Sequence, residues 1–220
     1  MDEERGAPVN RLLRLRRESI GFAVGSLCFA VAACPGYLGL VGVDWTNATF
    51  FLGSIFFTAA AFIQLRLTGR WRRGAWKSAA DWDDWWSAAS QFIGTLFFNY
   101  STFAALLAGL GASAAADHVW RPDAVGSALF LLSSGLAIAA TRHAGNLWDP
   151  EVRSWWSTWL NAAGSVAFGL SAIAAYVVPS TGEPVNVDWI NIGTFIGAVC
   201  FMVAALLVKP SRASLSSGSD

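Results

Sequence analysis

Six stretches of this chain contain no Asp, Glu, Lys, Arg or His: residues 19–41, 46–65, 87–112, 124–141, 156–178 and 189–208. Each is close to the ~20 residues that carry a helix across the hydrocarbon core of a bilayer, with 124–141 the shortest. A membrane strand would alternate polar and apolar side chains over ~10 residues, and none of the six does. Soluble domains carry about 25% charged residues; here 14% are charged and 55% hydrophobic, with the charges gathered between the runs. The pattern predicts an all-α membrane protein of six transmembrane helices.

Lysine and arginine set the topology. Arg5, Arg11, Arg14, Arg16 and Arg17 precede the first run, and Arg66, Arg70, Arg72, Arg73 and Lys77 follow the second. Arg142 and Arg153 lie between the fourth and fifth, and Lys209 and Arg212 after the sixth. Only Arg121 falls on the other side, so both termini are expected in the cytoplasm. The first run is too long for a secretory signal, and no small-residue cleavage site leads into a hydrophilic chain. Cys28, Cys34 and Cys200 form no Cys-x-x-Cys pair and read as small core residues.

Within every run a glycine is followed four residues later by phenylalanine and seven later by a small residue. The sets are Gly25/Phe29/Ala32, Gly53/Phe57/Ala60, Gly94/Phe98/Ser101, Gly126/Phe130/Ser133, Gly164/Phe168/Ser171 and Gly197/Phe201/Ala204. Ser, Thr or Ala directly follows each glycine. These offsets share one helical face. In lipid, where no hydrophobic effect drives helices together, such a stripe lets backbones approach. Its recurrence in all six runs fits a packing rule better than a cofactor site.

A longer repeat lies beneath it. VDWTNATFFLGS (43–54) aligns with VDWINIGTFIGA (187–198), with VWRPDAVGS (119–127) as a shorter middle version. WWSAASQFIGT (85–95) aligns with WWSTWLNAAGS (155–165), setting Gln91 opposite Asn161. The unit is a helical hairpin used three times at a period of roughly seventy residues. Parallel repeats are related by an axis along the membrane normal, so a pseudo-threefold bundle is expected. The hairpins are residues 19–66, 86–141 and 155–208. A basic segment (1–18) precedes them, connections at 67–85 and 142–154 join them, and a Ser/Gly-rich tail (209–220), expected to be disordered, follows.

The Gly-Ser-x-x-Phe hairpin with a tryptophan before its second helix resembles the YrhK-like two-helix membrane domain. The whole chain is similar to uncharacterised integral membrane proteins of actinobacteria that carry it. The resemblance implies a bacterial cytoplasmic membrane and brings no activity, ligand or catalytic residue.

The sequence offers few places for chemistry. Polar side chains expected at membrane depth are Gln91, Asn99, Asn161 and Asn191, with Asn47 and Gln64 near helix ends. They read as interhelical hydrogen bonds or, more sharply, as a polar vestibule on the cytoplasmic half around Gln91 and Asn161. Phe22 stands at the equivalent position of the first hairpin, so a ring of amides is incomplete. Pro35-Gly36 is expected to end the first helix.

The run DWDDWW (81–86) holds Asp81, Asp83 and Asp84, residue types suited to acid catalysis or cation binding. It resembles the acid motif of class II terpene cyclases. Only its tryptophans recur in the third hairpin, so the aspartates are expected to neutralise arginines or cap the helix. Trp45, Trp85, Trp86, Trp120, Trp155, Trp156 and Trp189 are expected as interface anchors. His118 and His143 fall in loops on opposite sides and read as solvated, with no metal or cofactor implied. Arg14, Arg16, Arg17, Arg72 and Arg73 suit anionic lipid headgroups, at about 1 kcal/mol each. Nucleic acid is excluded as a partner because these clusters abut the bilayer.

The leading expectation is a non-enzymatic scaffold, lipid-interacting or accessory subunit, alone as a homo-oligomer or with a partner membrane protein. A small-solute transporter or channel is the alternative, and a membrane enzyme using Asp81, Asp83 and Asp84 the third.

Overall fold

The computed structural model describes residues 3–69, 78–110 and 116–210. Among them are six helices: α1 (Glu3–Ala33), α2 (Tyr37–Leu67), α3 (Ala79–Gly109), α4 (Ala116–His143), α5 (Arg153–Ala174) and α6 (Val187–Leu207). The described residues hold no strand; an isolated antiparallel bridge joins Val177 and Pro184 in the α5–α6 connection. Arg72, Arg73 and tail residues 211–220 lie outside the described residues.

Four helices are long and apolar enough to cross a membrane: α2, α3, the His118–His143 part of α4, and α6. This is the character of a membrane protein. The other two are diluted for visible reasons. α1 spends its first half on the basic segment and ends at Ala33. The first turns of α5 carry three tryptophans with Ser154, Ser157, Thr158 and Asn161.

Pro35 explains where α1 stops. The run 19–41, expected as one span, is divided by the turn Cys34–Gly36, with Gly36 in a left-handed conformation (φ 91°). A second break follows at Gly42, where φ 81° and ψ 174° interrupt α2. Only glycine adopts such angles without steric cost. The first hairpin therefore turns several residues earlier than charge spacing implied.

Helices adjacent in sequence pack against one another, and α1 also packs against α6, so the six close into a ring. Gly–Phe contacts set the spacing inside each pair. A Cβ on Gly25 would lie 2.9 Å from the Gly53 carbonyl oxygen, and one on Gly53 would lie 3.0 Å from that of Gly25. Gly94 and Gly126 meet in the same reciprocal way, at 3.2 and 3.1 Å, and Gly164 and Gly197 at 3.0 Å both ways. In each pair the phenylalanine of one helix covers the glycine of the other.

The six phenylalanines then converge at the centre, each 4–5% exposed. Phe29, Phe98 and Phe168 form one triangle, with ring centroids 6.5, 5.8 and 5.9 Å apart. Phe57, Phe130 and Phe201 form a second, with centroids 6.5, 5.7 and 6.1 Å apart. The triangles stack through the pairs Phe29–Phe57, Phe98–Phe130 and Phe168–Phe201, at 5.5, 5.0 and 5.5 Å. Most contacts are edge-to-face, each stabilising by roughly 0.5–1.5 kcal/mol. Only about 10 Å³ of space remains among the rings.

Candidate functional site

Hydroxyl groups stitch the ring together on both sides of this aromatic layer. Seven residues after its glycine, Ser101 donates to the Val119 carbonyl at 2.7 Å. Ser171, at the same offset from Gly164, donates to the Ile190 carbonyl at 2.9 Å. Between α4 and α5, Ser134 and Ser165 are 2.8 Å apart and Trp120 Nε1 donates to the Ala172 carbonyl at 2.9 Å. Between α2 and α3, Ser54 meets Thr102 at 3.0 Å and Asn99 donates to Thr58 at 2.6 Å. Each such bond contributes roughly 0.6–2 kcal/mol in lipid.

At the arginine-rich end, where α1, α3 and α5 run inward, the described residues leave the ring open. An inner pocket of about 90 Å³ is lined by Glu18, Ser19, Gln64, Gln91, Ser157 and Asn161, with Phe22 and Phe201 among its apolar walls. A middle basin of about 250 Å³ shares Gln64, Gln91, Ser157 and Asn161 with it and adds Asp84, Ser87 and Ser133. An outer basin of about 430 Å³ shares Asp84, Thr141, Ser154 and Thr158 and adds Asp81 and Asp149. The three step inward as one polar chamber. Phe201 belongs both to the innermost wall and to the aromatic layer, so the chamber ends at the phenylalanines.

The chamber walls are held in place. Ser87 donates to the Ser133 carbonyl at 2.9 Å while Ser133 donates back to the Ser87 carbonyl at 2.8 Å. The Ser133 hydroxyl also lies 3.1 Å from Gln91 Oε1. Gln64 Oε1 is buried with no hydrogen-bond partner among the described residues. Glu18 is partly buried just before the charge-free part of α1, and that burial, reinforced by Asp84, pushes its carboxyl up to about 8.

The four amides expected at depth separate here. Gln91 and Asn161 line the chamber, whereas Asn99 is taken up in the α2–α3 seam. Asn191 sits in the opening turns of α6, at the other end of the molecule. Glu18 joins the site although charge spacing had assigned it to the basic segment. The signal was its place next to Ser19, where the arginines stop and the buried face begins.

The aspartates of DWDDWW take three different places. Ser78 caps α3, its hydroxyl accepting from the Asp81 amide at 3.1 Å, so the cap is not a carboxylate. Asp83 is buried and accepts from His143 Nδ1 at 2.6 Å, bringing in a histidine that had read as a solvated loop residue. Asp84 lines the chamber. Trp85 and Trp86 meet at 4.8 Å and 89°, and Trp155 and Trp156 at 4.9 Å and 89°. Trp45, Trp86, Trp156 and Trp189 are exposed, while Trp155 is buried and donates to the Leu147 carbonyl at 2.9 Å. On α1, Arg14 and Arg17 are exposed and Arg16 partly buried. His118 lies 3.2 Å from the Tyr100 hydroxyl, and no group of three His, Cys, Asp or Glu among the described residues is placed to hold a metal.

Compared with family models, curated proteins and solved structures, the chain matches none.

Proposed function

We propose that this chain is a six-span protein of a bacterial cytoplasmic membrane that admits a small polar solute from the cytoplasm into the chamber. In this reading it is a solute-binding carrier or channel in a closed state, three tandem hairpins around a pseudo-threefold axis. The carrying observation is that Gln64, Gln91 and Asn161, from three different helices, line one pocket stopped by a wall of phenylalanines. A scaffold has no need of a polar chamber, so the solute reading moves ahead of the accessory-subunit reading.

Three features support the six spans. α1 and α5 complete a ring with helices that are themselves apolar enough to cross. Each adjoins its partner through the same glycine crossing. The Ser101 and Ser171 bonds and the two indole pairs occupy matched offsets, as repeated hairpins require. The resemblance of the first hairpin to the YrhK-like domain fits the same unit. Arg14 and Arg17, exposed at the chamber end, suit anionic headgroups around the mouth.

Accessibility labelling tests the reading. Ser157→Cys and Ser54→Cys are made with Cys28, Cys34 and Cys200 replaced by serine or alanine, and treated with a membrane-impermeant thiol reagent. Ser157→Cys should label from the cytoplasmic face alone, and Ser54→Cys from neither face. Protection of Ser157→Cys from both sides would end the proposal.

A further inference from the structure

The inner pocket is selective in its chemistry. Among the described residues it offers one carboxyl (Glu18), three amides (Gln64, Gln91 and Asn161), hydroxyls, and the side chains of Phe22 and Phe201, with no lysine, arginine or histidine. Among those residues an anion meets a carboxyl and carbonyls and no positive partner. A divalent metal would meet one carboxyl in the inner pocket's own lining, with Asp84 in the adjoining basin, where such ions need several oxygen ligands in fixed geometry. The buried, unpartnered Gln64 Oε1 calls for a donor. The rings of Phe22 and Phe201 give an alkyl group an apolar surface to pack against.

We propose that the inner pocket binds a small alkylammonium ion. Glu18 is its counter-ion, side-chain carbonyls led by Gln64 accept its N–H groups, and Phe22 and Phe201 flank its alkyl end. The inference rests on the chamber reading above and names the solute class for that chamber. At a pH where Glu18 holds a proton, the ammonium takes that proton's place and the proton leaves to water, so charge balances. Among the described residues, Asp84 from α3 is the titratable group that acts on Glu18, raising its carboxyl further. From α2, α5 and α6 the pocket presents only uncharged side chains, including Gln64, Asn161 and Ala205.

The test is calorimetric titration of the full chain in lipid nanodiscs with ethylammonium chloride, ethanol and sodium acetate in parallel. Saturable binding is expected for ethylammonium alone, weakening as the pH is lowered below about 8. Glu18→Gln should weaken it about tenfold or more, the loss of a buried charge partner, with Gln64→Leu also weakening it. An unchanged melting temperature in Gln64→Leu would separate lost binding from lost folding. Ethanol or acetate binding as well as ethylammonium, or full affinity in Glu18→Gln, would overturn the proposal. If ethanol binds and ethylammonium does not, the cation inference falls while the chamber reading stands. If Ser157→Cys is also unreactive, the chamber reading falls with it.

Discussion

Asp83 Oδ2 and His143 Nδ1 lie 2.6 Å apart across sixty residues of sequence. The contact ties the start of α3 to the end of α4. Asp83 is largely shielded and the imidazole is about half exposed, so solvent screens the pair and limits its value to roughly 0.5–1 kcal/mol. A double-mutant cycle with Asp83→Asn and His143→Gln should return a coupling of that size in thermal unfolding. A coupling indistinguishable from zero would show that the contact does not hold the two helix ends together.

The glycine crossings predict a sharper loss. A methyl group on Gly197 would sit 2.6 Å from Phe168 Cδ2 and 3.0 Å from the Gly164 carbonyl oxygen. Gly197→Ala should therefore destabilise by about 1–3 kcal/mol, the usual effect of overpacking. Gly135→Ala meets nothing within 4 Å and should match or exceed the parent in melting temperature. Equal melting temperatures for both variants would refute the close-packing account.

The aromatic layer should behave as a seal. Phe201 borders the inner pocket and belongs to the second triangle of rings. Phe201→Ala removes the ring that separates chamber from layer, and liposomes carrying it should leak small solutes that the parent retains. A tight Phe201→Ala vesicle would show that the remaining five rings are sufficient closure.

Glu18 gives stability a pH dependence of known sign. Its carboxyl is raised from 4.5 to about 8 in the folded chain, chiefly by burial and then by Asp84. The folded state therefore holds the proton more tightly than the unfolded one. The resulting stabilisation is complete below about 4.5 and is lost as pH rises through about 8. Melting temperature should fall across that window, and Glu18→Gln should flatten the fall. A parent and variant with parallel pH profiles would remove Glu18 from the account.

How much of this was legible follows from range along the chain. Gly94 and Phe98 are one turn apart, so their shared face could be read from spacing alone, as could Trp85–Trp86. Glu18 was hidden because a residue at the edge of an apolar run reads as solvated until a neighbouring helix covers it. Asp83 and His143 belong to opposite ends of a hairpin, and no local pattern records that the ends meet. Gln91 and Asn99 are two turns apart on one helix, yet only Gln91 reaches the chamber; Asn99 was claimed by Thr58 on α2. Spacing identifies which face a residue occupies, and the partner on that face decides its use.

Closure of the ring by α1 against α6 carries a consequence for synthesis. Glu18 on α1 and Val208 on α6 line the same pocket although nearly the whole chain separates them. Pairings between distant segments form late because the intervening loop must first be ordered. While the ribosome is still at work, the first five helices make an open arc with one side of α1 uncovered. Only the arrival of α6 converts that arc into a vessel, so the inner pocket is assembled only once α6 has packed against α1.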